Sequence, residues 1–97
     1  MTKADIVERI ARSTGLTRVE TEAVVEGFMI LVRQALAEGQ TVDLRGFGAF
    51  RVQARAPRLA RNPATLEPVR VAARRVAVFR PARELRAAVE AGAATRP

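Results

Sequence analysis

The apolar residues of this chain change their spacing once, near residue 40, and this change limits the possible folds more than any other feature. Before it, apolar residues recur every three or four positions, which is typical of amphipathic helices. Capping boxes at Thr2–Asp5 and Thr17–Glu20 mark two helix starts, and a glycine suited to end a helix follows each pattern. The spacing therefore predicts helices over about 3–14 and 18–38, joined as a helical hairpin.

After residue 40, apolar and polar residues alternate, which is the spacing of β-strands. Between Phe50 and Arg55 the alternation is strict and gives the strand one polar, basic face. Pro81 then follows the extended pattern and is suited to open a last helix, which Gly92 would end. The chain is therefore predicted to be α+β, with a helical hairpin, a small sheet and a C-terminal helix.

The second predicted helix is apolar on nearly all sides in its middle. Between Val24 and Val32, only Glu26 and Gly27 interrupt the apolar residues. A helix of this kind is buried on more than one side, and one short helix with a small sheet cannot cover it. We therefore expect this helix also to pack across a dimer interface, with a second copy of the chain as the simplest partner.

The residue inventory argues against most catalytic and metal-binding chemistry. The 97 residues include no Cys, His, Trp or Tyr, which disfavours zinc sites, haem attachment, iron–sulfur clusters and disulfides. The usual Ser-His, Cys-His and His-metal routes to catalysis are missing as well. We therefore expect no enzymatic activity, no catalytic residue and no cofactor or metal. No apolar run approaches the roughly 20 residues that cross a bilayer, so we expect a cytoplasmic protein without a membrane partner.

The positive charge of the chain is concentrated in its second half. Residues 1–44 carry five basic and seven acidic side chains, a net charge of −2, whereas residues 45–97 carry twelve Arg and three Glu, a net charge of +9. Arg presents a planar set of donors suited to phosphates and base edges. A GC-rich genome would explain Arg in place of Lys, but not the scarcity of acids. The second half therefore predicts a surface that binds a polyanion.

The most basic stretch, residues 51–80, is also interrupted by prolines. It holds eight Arg and one acid, Glu67. Because Pro57 and Pro63 disfavour a central place in a sheet, the stretch should leave the sheet as an edge or a free ribbon, mobile until it lies on an anionic partner. A β-ribbon can enter a DNA groove, and an apolar wedge can kink the duplex. Pro63, at the expected tip, is therefore a candidate wedge.

Several short motifs follow one another in a fixed order in this half of the chain: Gly46-Phe47-Gly48-Ala49-Phe50, Arg55, Arg58, Arg61-Asn62-Pro63, Thr65 and Phe79-Arg80-Pro81. An Arg-Asn-Pro sequence about a dozen residues after Gly-Phe-Gly-x-Phe is a highly specific combination. In these motifs, and over residues 1 to about 90, the chain resembles the bacterial HU and integration host factor family of histone-like, DNA-bending proteins, with HU the nearer of the two.

This resemblance implies an α+β fold with a helical-hairpin body, a three-stranded antiparallel sheet and a long β-ribbon arm, assembled as an intertwined dimer. It implies one DNA-binding domain over 1–91, with the arm at about 53–76. Because Gly92 is expected to end the last helix, residues 92–97 are predicted to be a short flexible tail. In such dimers the two arms reach around double-stranded DNA through the minor groove. The proline at each tip then intercalates and kinks the duplex.

The resemblance also assigns roles to residues of this chain. Pro63 would intercalate and Asn62 would shape the tip, while backbone amides near Gly46 and Gly48 would hold a phosphate. Three arginines along the arm would meet minor-groove edges and phosphates: Arg55, Arg58 and Arg61. Four basic residues would form a saddle that contacts phosphates between the arms: Lys3, Arg80, Arg83 and Arg86. The remaining arginines of the basic stretch complete the predicted DNA-binding set: Arg51, Arg70, Arg74 and Arg75.

The arm is where this chain departs from the family pattern. Leu66 follows Thr65 where the family has Gly, and a positive φ there would strain the leucine or force a different turn. Pro68 would interrupt the return limb of the arm, and Leu59 stands where a basic residue is common. We expect these changes to alter the tip rather than the fold.

The sequence thus predicts a nucleoid-associated homodimer that binds double-stranded DNA with little sequence specificity and bends it. Three alternatives stay open. The first is a sequence-specific subunit like those of integration host factor, which could form one half of a heterodimer with a paralogue. The second is an RNA-binding basic module, although no aromatic residue lies within 53–76 to stack on splayed bases. The third is a protein that uses its arms on acidic protein partners.

Overall fold

The structure is a computed structural model that describes residues 1–95. Its backbone divides into two compact units, Met1–Ala35 and Leu36–Pro97. The first unit is helical, and the second holds all the strands and the last helix. The α+β class predicted from the change in apolar spacing is therefore confirmed.

The first unit is a pair of helices whose starts are fixed by capping residues. Helix α1 (Lys3–Thr14) begins after Thr2, whose hydroxyl accepts a hydrogen bond from the Asp5 amide while the Asp5 carboxylate accepts one from the Thr2 amide. Helix α2 (Arg18–Ala37) begins with the same reciprocal pair between Thr17 and Glu20. The hydrogen bonds from Thr17 hold the pKa of Glu20 below its ordinary value. Both predicted helices are confirmed, α2 with its end one residue earlier.

Very little apolar surface is buried within the described chain. Val7 of α1, at 3% exposure, is the one buried apolar side chain, and Thr21 of α2 is the one buried polar residue. The middle of α2 is instead open, with Val24 at 65% and Leu31 at 67% exposure. The predicted all-round apolar helix is therefore present, and much of its apolar surface is left exposed among the described residues.

The second unit contains five strands in two antiparallel sheets. In chain order they are β1 (Val42–Leu44), β2 (Gly48–Arg55), β3 (Arg58–Arg61), β4 (Pro68–Val71) and β5 (Arg74–Pro81). The first sheet has the order β1-β2-β5, and the second is the ribbon β3-β4. Because β1 pairs only with the start of β2, the pairing of β2 with β5 continues beyond it as a two-stranded ribbon. We call residues 51–78, which form this extension and the ribbon β3-β4, the arm.

One face of the three-stranded sheet is aromatic and requires a glycine. Phe50 and Phe79 lie opposite each other in the register of β2 and β5, with ring centroids 4.9 Å apart, and Phe47 lies 5.4 Å from Phe79. A Cβ atom on Gly48 would lie 2.5 Å from the Phe79 ring and 2.6 Å from the Arg80 carbonyl oxygen. The Gly-Phe-Gly motif therefore combines a turn with a close approach of two strands.

Both ends of the last helix differ from the prediction. Pro81 is the final residue of β5, where it pairs with Gly48, and helix α3 spans Arg83–Thr95. The Ala82 amide donates to the Phe47 carbonyl and so ties this junction to the turn after β1. The predicted helix end at Gly92 is also wrong, because α3 continues to Thr95. Of the predicted tail, residues 92–95 are thus helical, and 96–97 lie outside the described residues.

Candidate nucleic-acid interface

A row of arginines occupies one face of the paired strands β2 and β5. Alternate residues of a strand point to the same face, so the register places Arg51 and Arg55 of β2 on the face that carries Arg74 and Arg80 of β5. Arg51 and Arg80 line one shallow cleft of about 300 Å³. We call these four residues the sheet row. The opposite face carries Phe50 and Phe79 together with one arginine, Arg75, so most of the arginines of these two strands lie on one side.

Two members of the sheet row lie directly opposite each other. Arg55 and Arg74 are cross-strand partners at the outer end of β2 and β5, and like charges in this position destabilise a sheet. With Arg58 they line a cleft of about 570 Å³ where strand pairing breaks at Ala56–Pro57 and Ala72–Ala73. An anion in this cleft would relieve the repulsion. The break therefore brings together three of the predicted DNA-binding residues.

Beyond the break, the ribbon β3-β4 divides its basic residues between two faces. Arg61 and Arg70 share one face, because Arg61 pairs with Pro68 and Arg70 pairs with Leu59. Arg58 lies on the other face, opposite Val71. Pro68 starts β4 rather than interrupting it, because the first residue of a strand tolerates a missing N–H. The predicted break in the return limb at Pro68 is therefore wrong.

The tip of the arm, residues 62–67, closes on Asn62. Its amide donates to the Glu67 carbonyl at 2.9 Å, and its carbonyl accepts from the Leu66 amide at 2.7 Å, which forms an α-turn. Its side-chain oxygen also accepts from the Ala64 amide at 2.9 Å. Pro63 follows Asn62 and is exposed. Asn62 therefore organises the turn that carries Pro63 at the end of the ribbon.

Leu66 completes the tip in a conformation that leucine rarely adopts. Its φ is +61°, the left-handed region that favours glycine. The Arg61 guanidinium donates to the Leu66 carbonyl at 3.1 Å and helps to hold this conformation. The strained leucine expected from the departure at this position is thus confirmed.

Arg75 and the two arginines of α3 are not part of the sheet row. Arg75 pairs with Ala54 on the opposite face of the ribbon, and its guanidinium lies 3.5 Å from the Cβ position built on Gly39. Arg83 is the first residue of α3, and Arg86 lines an apolar groove with Phe79 and neighbouring residues. The structure thus places Arg75 on the other face of the ribbon and places Arg83 and Arg86 on the last helix.

Lys3 belongs to the helical unit and already has an anionic partner. Its ammonium forms an ion pair and hydrogen bond with the carboxylate of Glu26 on α2. The hydrogen bond raises the pKa of Lys3 and lowers the pKa of Glu26, each relative to its ordinary value. Any phosphate at Lys3 would therefore compete with Glu26.

The turn at Gly46 is less suited to a phosphate than the resemblance implies. The amide of Phe47 already donates to the Leu44 carbonyl at 2.8 Å. The carboxylate of Glu84, in the first turn of α3, lies 3.5 Å from the Cβ position built on Gly46. A negative side chain at this turn opposes an incoming phosphate.

Sequence reasoning missed two features that change how these residues act. The partner of Lys3 is 23 positions away on another helix, and nothing in the spacing of the acids singles out Glu26. The hydrogen bond from Arg61 to the tip depends on the turn conformation, which residue types alone do not fix. The opposite placement of Arg75 could have been found, because alternation along β5 separates it from Arg74.

Comparison with known proteins identifies the family. The family described as "Bacterial DNA-binding protein" matches residues 1–90. Integration host factor subunit alpha of Actinobacillus succinogenes is 47% identical over 90 residues, which cover 93% of this chain and 92% of that protein. The subunit alpha of Stutzerimonas stutzeri is 43% identical over 97 residues, 100% of this chain and 97% of that protein.

A solved structure agrees. The Anabaena HU protein in a cocrystal with DNA is 31% identical, with a TM-score of 0.85, and the match covers 92% of this chain and 97% of that one. The two relatives found by sequence are integration host factor subunits, whereas the similar solved structure is an HU protein. Both are DNA-binding architectural proteins rather than enzymes, and no helix within residues 1–95 is long and apolar enough to cross a membrane. The chain belongs to the bacterial DNA-binding protein family of HU and integration host factor.

Proposed function

We propose that this chain is one subunit of a dimer that binds double-stranded DNA with little sequence specificity. Its arms enter the minor groove, and it bends the duplex by inserting Pro63. The observation that carries the proposal is the arm, a two-stranded ribbon with an arginine row that ends in a hydrogen-bonded turn with an exposed proline. A ribbon of this width fits a DNA groove. An apolar wedge between base steps kinks the duplex. Association with the nucleoid follows from this activity.

Electrostatic attraction to phosphates supplies most of the proposed affinity. The sheet row and the arginines of β3 and β4 supply hydrogen-bond donors along the arm. The repulsion between Arg55 and Arg74 favours an anion beside them. Neutralising about 6–10 phosphates releases counterions and makes binding steeply dependent on salt. Bending a site of about 20–30 bp costs on the order of 1–6 kcal/mol, which the added contacts along the arms offset.

The saddle residues remain part of the proposal. Arg80, Arg83 and Arg86 lie near the start of α3 or just before it, and Lys3 lies at the start of α1. We propose that these four contact phosphates between the arms. Lys3 would do so by exchanging Glu26 for a phosphate oxygen, which makes its contribution depend on the strength of that ion pair.

The uncovered apolar surface of α2 supports the dimer. Val24 and Leu31 are each about two-thirds exposed, and the described chain buries one apolar side chain, Val7. Exposed apolar surface of this extent marks an association site. A second copy of the chain covers it in the simplest assembly, and a paralogue with a similar helix covers it in a heterodimer.

The wedge is tested by replacing Pro63 with Ala and measuring fluorescence anisotropy on a duplex of about 30 bp and on its nicked twin. A nick already removes part of the bending cost, so Pro63→Ala should weaken binding to the intact duplex more than to the nicked one. Pro57→Ala is the matched control, because Pro57 lies on the same arm but at the break rather than the tip. Equal losses on both duplexes would contradict intercalation by Pro63.

A sequence-specific subunit is the second candidate, and the relatives named integration host factor subunit alpha are the observation that favours it. Selection of bound DNA from a random pool separates the two functions. A protein like HU returns no motif. A motif recovered only after a paralogous subunit is added would establish the heterodimer instead.

A further inference from the structure

The backbone of Leu66 is strained, and no packing contact among the described residues of the free protein offsets that strain. Among residues 1–95 it is the one non-glycine residue with a positive φ. Its side chain is 66% exposed, so packing within the chain does not compensate for the strained backbone. Backbone strain that is not offset by local packing is characteristic of functional sites.

The tip fixes the leucine in place. The Leu66 amide donates to the Asn62 carbonyl, and the Leu66 carbonyl accepts from Arg61. Because Asn62 also binds Glu67 across the base of the turn, Pro63 and Leu66 are held at the same end of the ribbon. The arm therefore ends in two exposed apolar side chains on one closed turn, not in a proline alone.

The surroundings of the leucine match DNA better than an apolar protein surface. Arg61 and Arg70 share the face of the ribbon next to the tip, and the sheet row continues the positive charge toward the body. A basic ribbon that ends in apolar residues is suited to a groove where phosphates flank stacked bases.

We propose that Leu66 is a second apolar wedge, which enters the minor groove beside Pro63 and is buried against the base step that the proline opens. The inference rests on the proposed DNA-bending function and adds a specific residue to it. In the free protein this arrangement is unfavourable, because the backbone of Leu66 is strained and its side chain is exposed. It becomes favourable only on distorted DNA, where the side chain is buried. The left-handed backbone conformation, which glycine adopts without strain, thus carries a larger, apolar side chain at the tip.

The test replaces Leu66 with Asn, which tolerates a positive φ and removes the apolar side chain. Leu66→Asn should leave the thermal midpoint unchanged or raised, because it relieves strain. It should weaken binding to the intact duplex about tenfold, the value expected for losing a largely buried leucine side chain. The loss on the nicked duplex should be clearly smaller.

Two matched variants complete the test. Leu59→Asn makes the same change at a leucine that is 72% exposed on β3, away from the tip, and should alter binding to both duplexes equally. Leu66→Met keeps an apolar side chain and should retain the affinity of the unmodified chain.

The outcomes separate this inference from the function on which it rests. Unchanged affinity of Leu66→Asn for the intact duplex, or an equal loss on both duplexes, overturns the second wedge. If Pro63→Ala shows a selective loss on the same duplexes while Leu66→Asn does not, the bending function stands and Leu66 has no part in it. If Leu66→Asn alone is selective, the wedge is the leucine and the role of Pro63 is overturned.

Discussion

Gly48 shows how one position can hold two distant parts of the chain together. A Cβ atom there would lie 2.5 Å from the Phe79 ring and 2.6 Å from the Arg80 carbonyl oxygen, which leaves no room for a methyl group. The carbonyl is backbone and cannot rotate away as a side chain could. The aromatic face of the sheet therefore depends on the absence of a side chain in β2.

Gly48→Ala should accordingly destabilise the protein. Overpacking of this kind costs about 1–3 kcal/mol, because β2 and β5 must separate or Phe79 must leave its position. Urea denaturation measures the change in the free energy of unfolding. Gly92→Ala is the control, since apart from its chain neighbours and its own helix backbone no described residue lies within 4 Å of the Cβ position there. An alanine should be neutral or slightly stabilising within α3. Equal midpoints for the two variants would contradict the close approach.

Single residues were predicted well where their effect is local. Thr2 and Thr17 cap their helices as their types and neighbours indicate, because caps depend on a few adjacent residues. The positive φ of Leu66 followed from the glycine that the family pattern has there, and not from the leucine itself. Lys3 and Arg61 were assigned to DNA without their protein partners. Those contacts arise from tertiary placement or turn geometry, which spacing in the sequence does not encode.

Helix and strand boundaries were likewise predictable where nearby residues set them and not where distant residues do. The spans of α1 and α2 could be predicted, since helical spacing and capping residues act within a few positions. The start of α3 could not, because Pro81 is kept in β5 by its pairing with Gly48, 33 positions earlier. The break between the two ribbons was only partly marked, by Pro57 on one strand and by no proline at Ala72–Ala73 on the other.

The division of the arm into faces leads to a prediction for its arginines. Arg70→Ala should lower the slope of log affinity against log salt by about one, the value for a single lost phosphate contact. Arg75→Ala is the matched control, because the Arg75 side chain lies near Gly39 on the face of β5 opposite the sheet row. The salt slope of this variant should stay unchanged. Binding to the duplex through a salt titration measures both.

Arg70 is better suited to this comparison than Arg61. Arg61 donates a hydrogen bond to the carbonyl of Leu66, so its removal would disturb the tip as well as the charge. An unchanged slope for Arg70→Ala, or equal decreases for both variants, would contradict the proposed basic face of the arm.

At the scale of the whole molecule, the chain carries more apolar surface than it buries. A chain of this length buries only about 60–65% of the surface exposed when unfolded. The middle of α2 adds apolar surface that stays exposed among residues 1–95. The surplus was predictable from Val24–Val32 because a helix that is apolar on all sides has few alternatives to burial. The identity of the partner was not, because the same apolar surface fits a copy or a paralogue.

The assembly can be broken selectively at α2. Leu31→Glu puts a carboxylate into the proposed interface, and the cost of burying it should weaken the dimer by more than about tenfold. Sedimentation over a range of protein concentrations measures this directly. Val19→Glu is the control, since Val19 is 79% exposed in the first turn of α2 and outside the apolar stretch; there a carboxylate also complements the helix dipole.

If the proposal holds, Leu31→Glu loses affinity for intact and nicked duplex alike, because one arm alone cannot wrap DNA, whereas Val19→Glu keeps the dimer and its binding. A Leu31→Glu protein that stays dimeric would place the interface elsewhere. An unmodified chain that remains monomeric at every concentration would contradict the homodimer and make the paralogous subunit the required partner. In that case adding the paralogue should restore both assembly and DNA binding to the unmodified chain but not to Leu31→Glu, since either partner must cover the same helix.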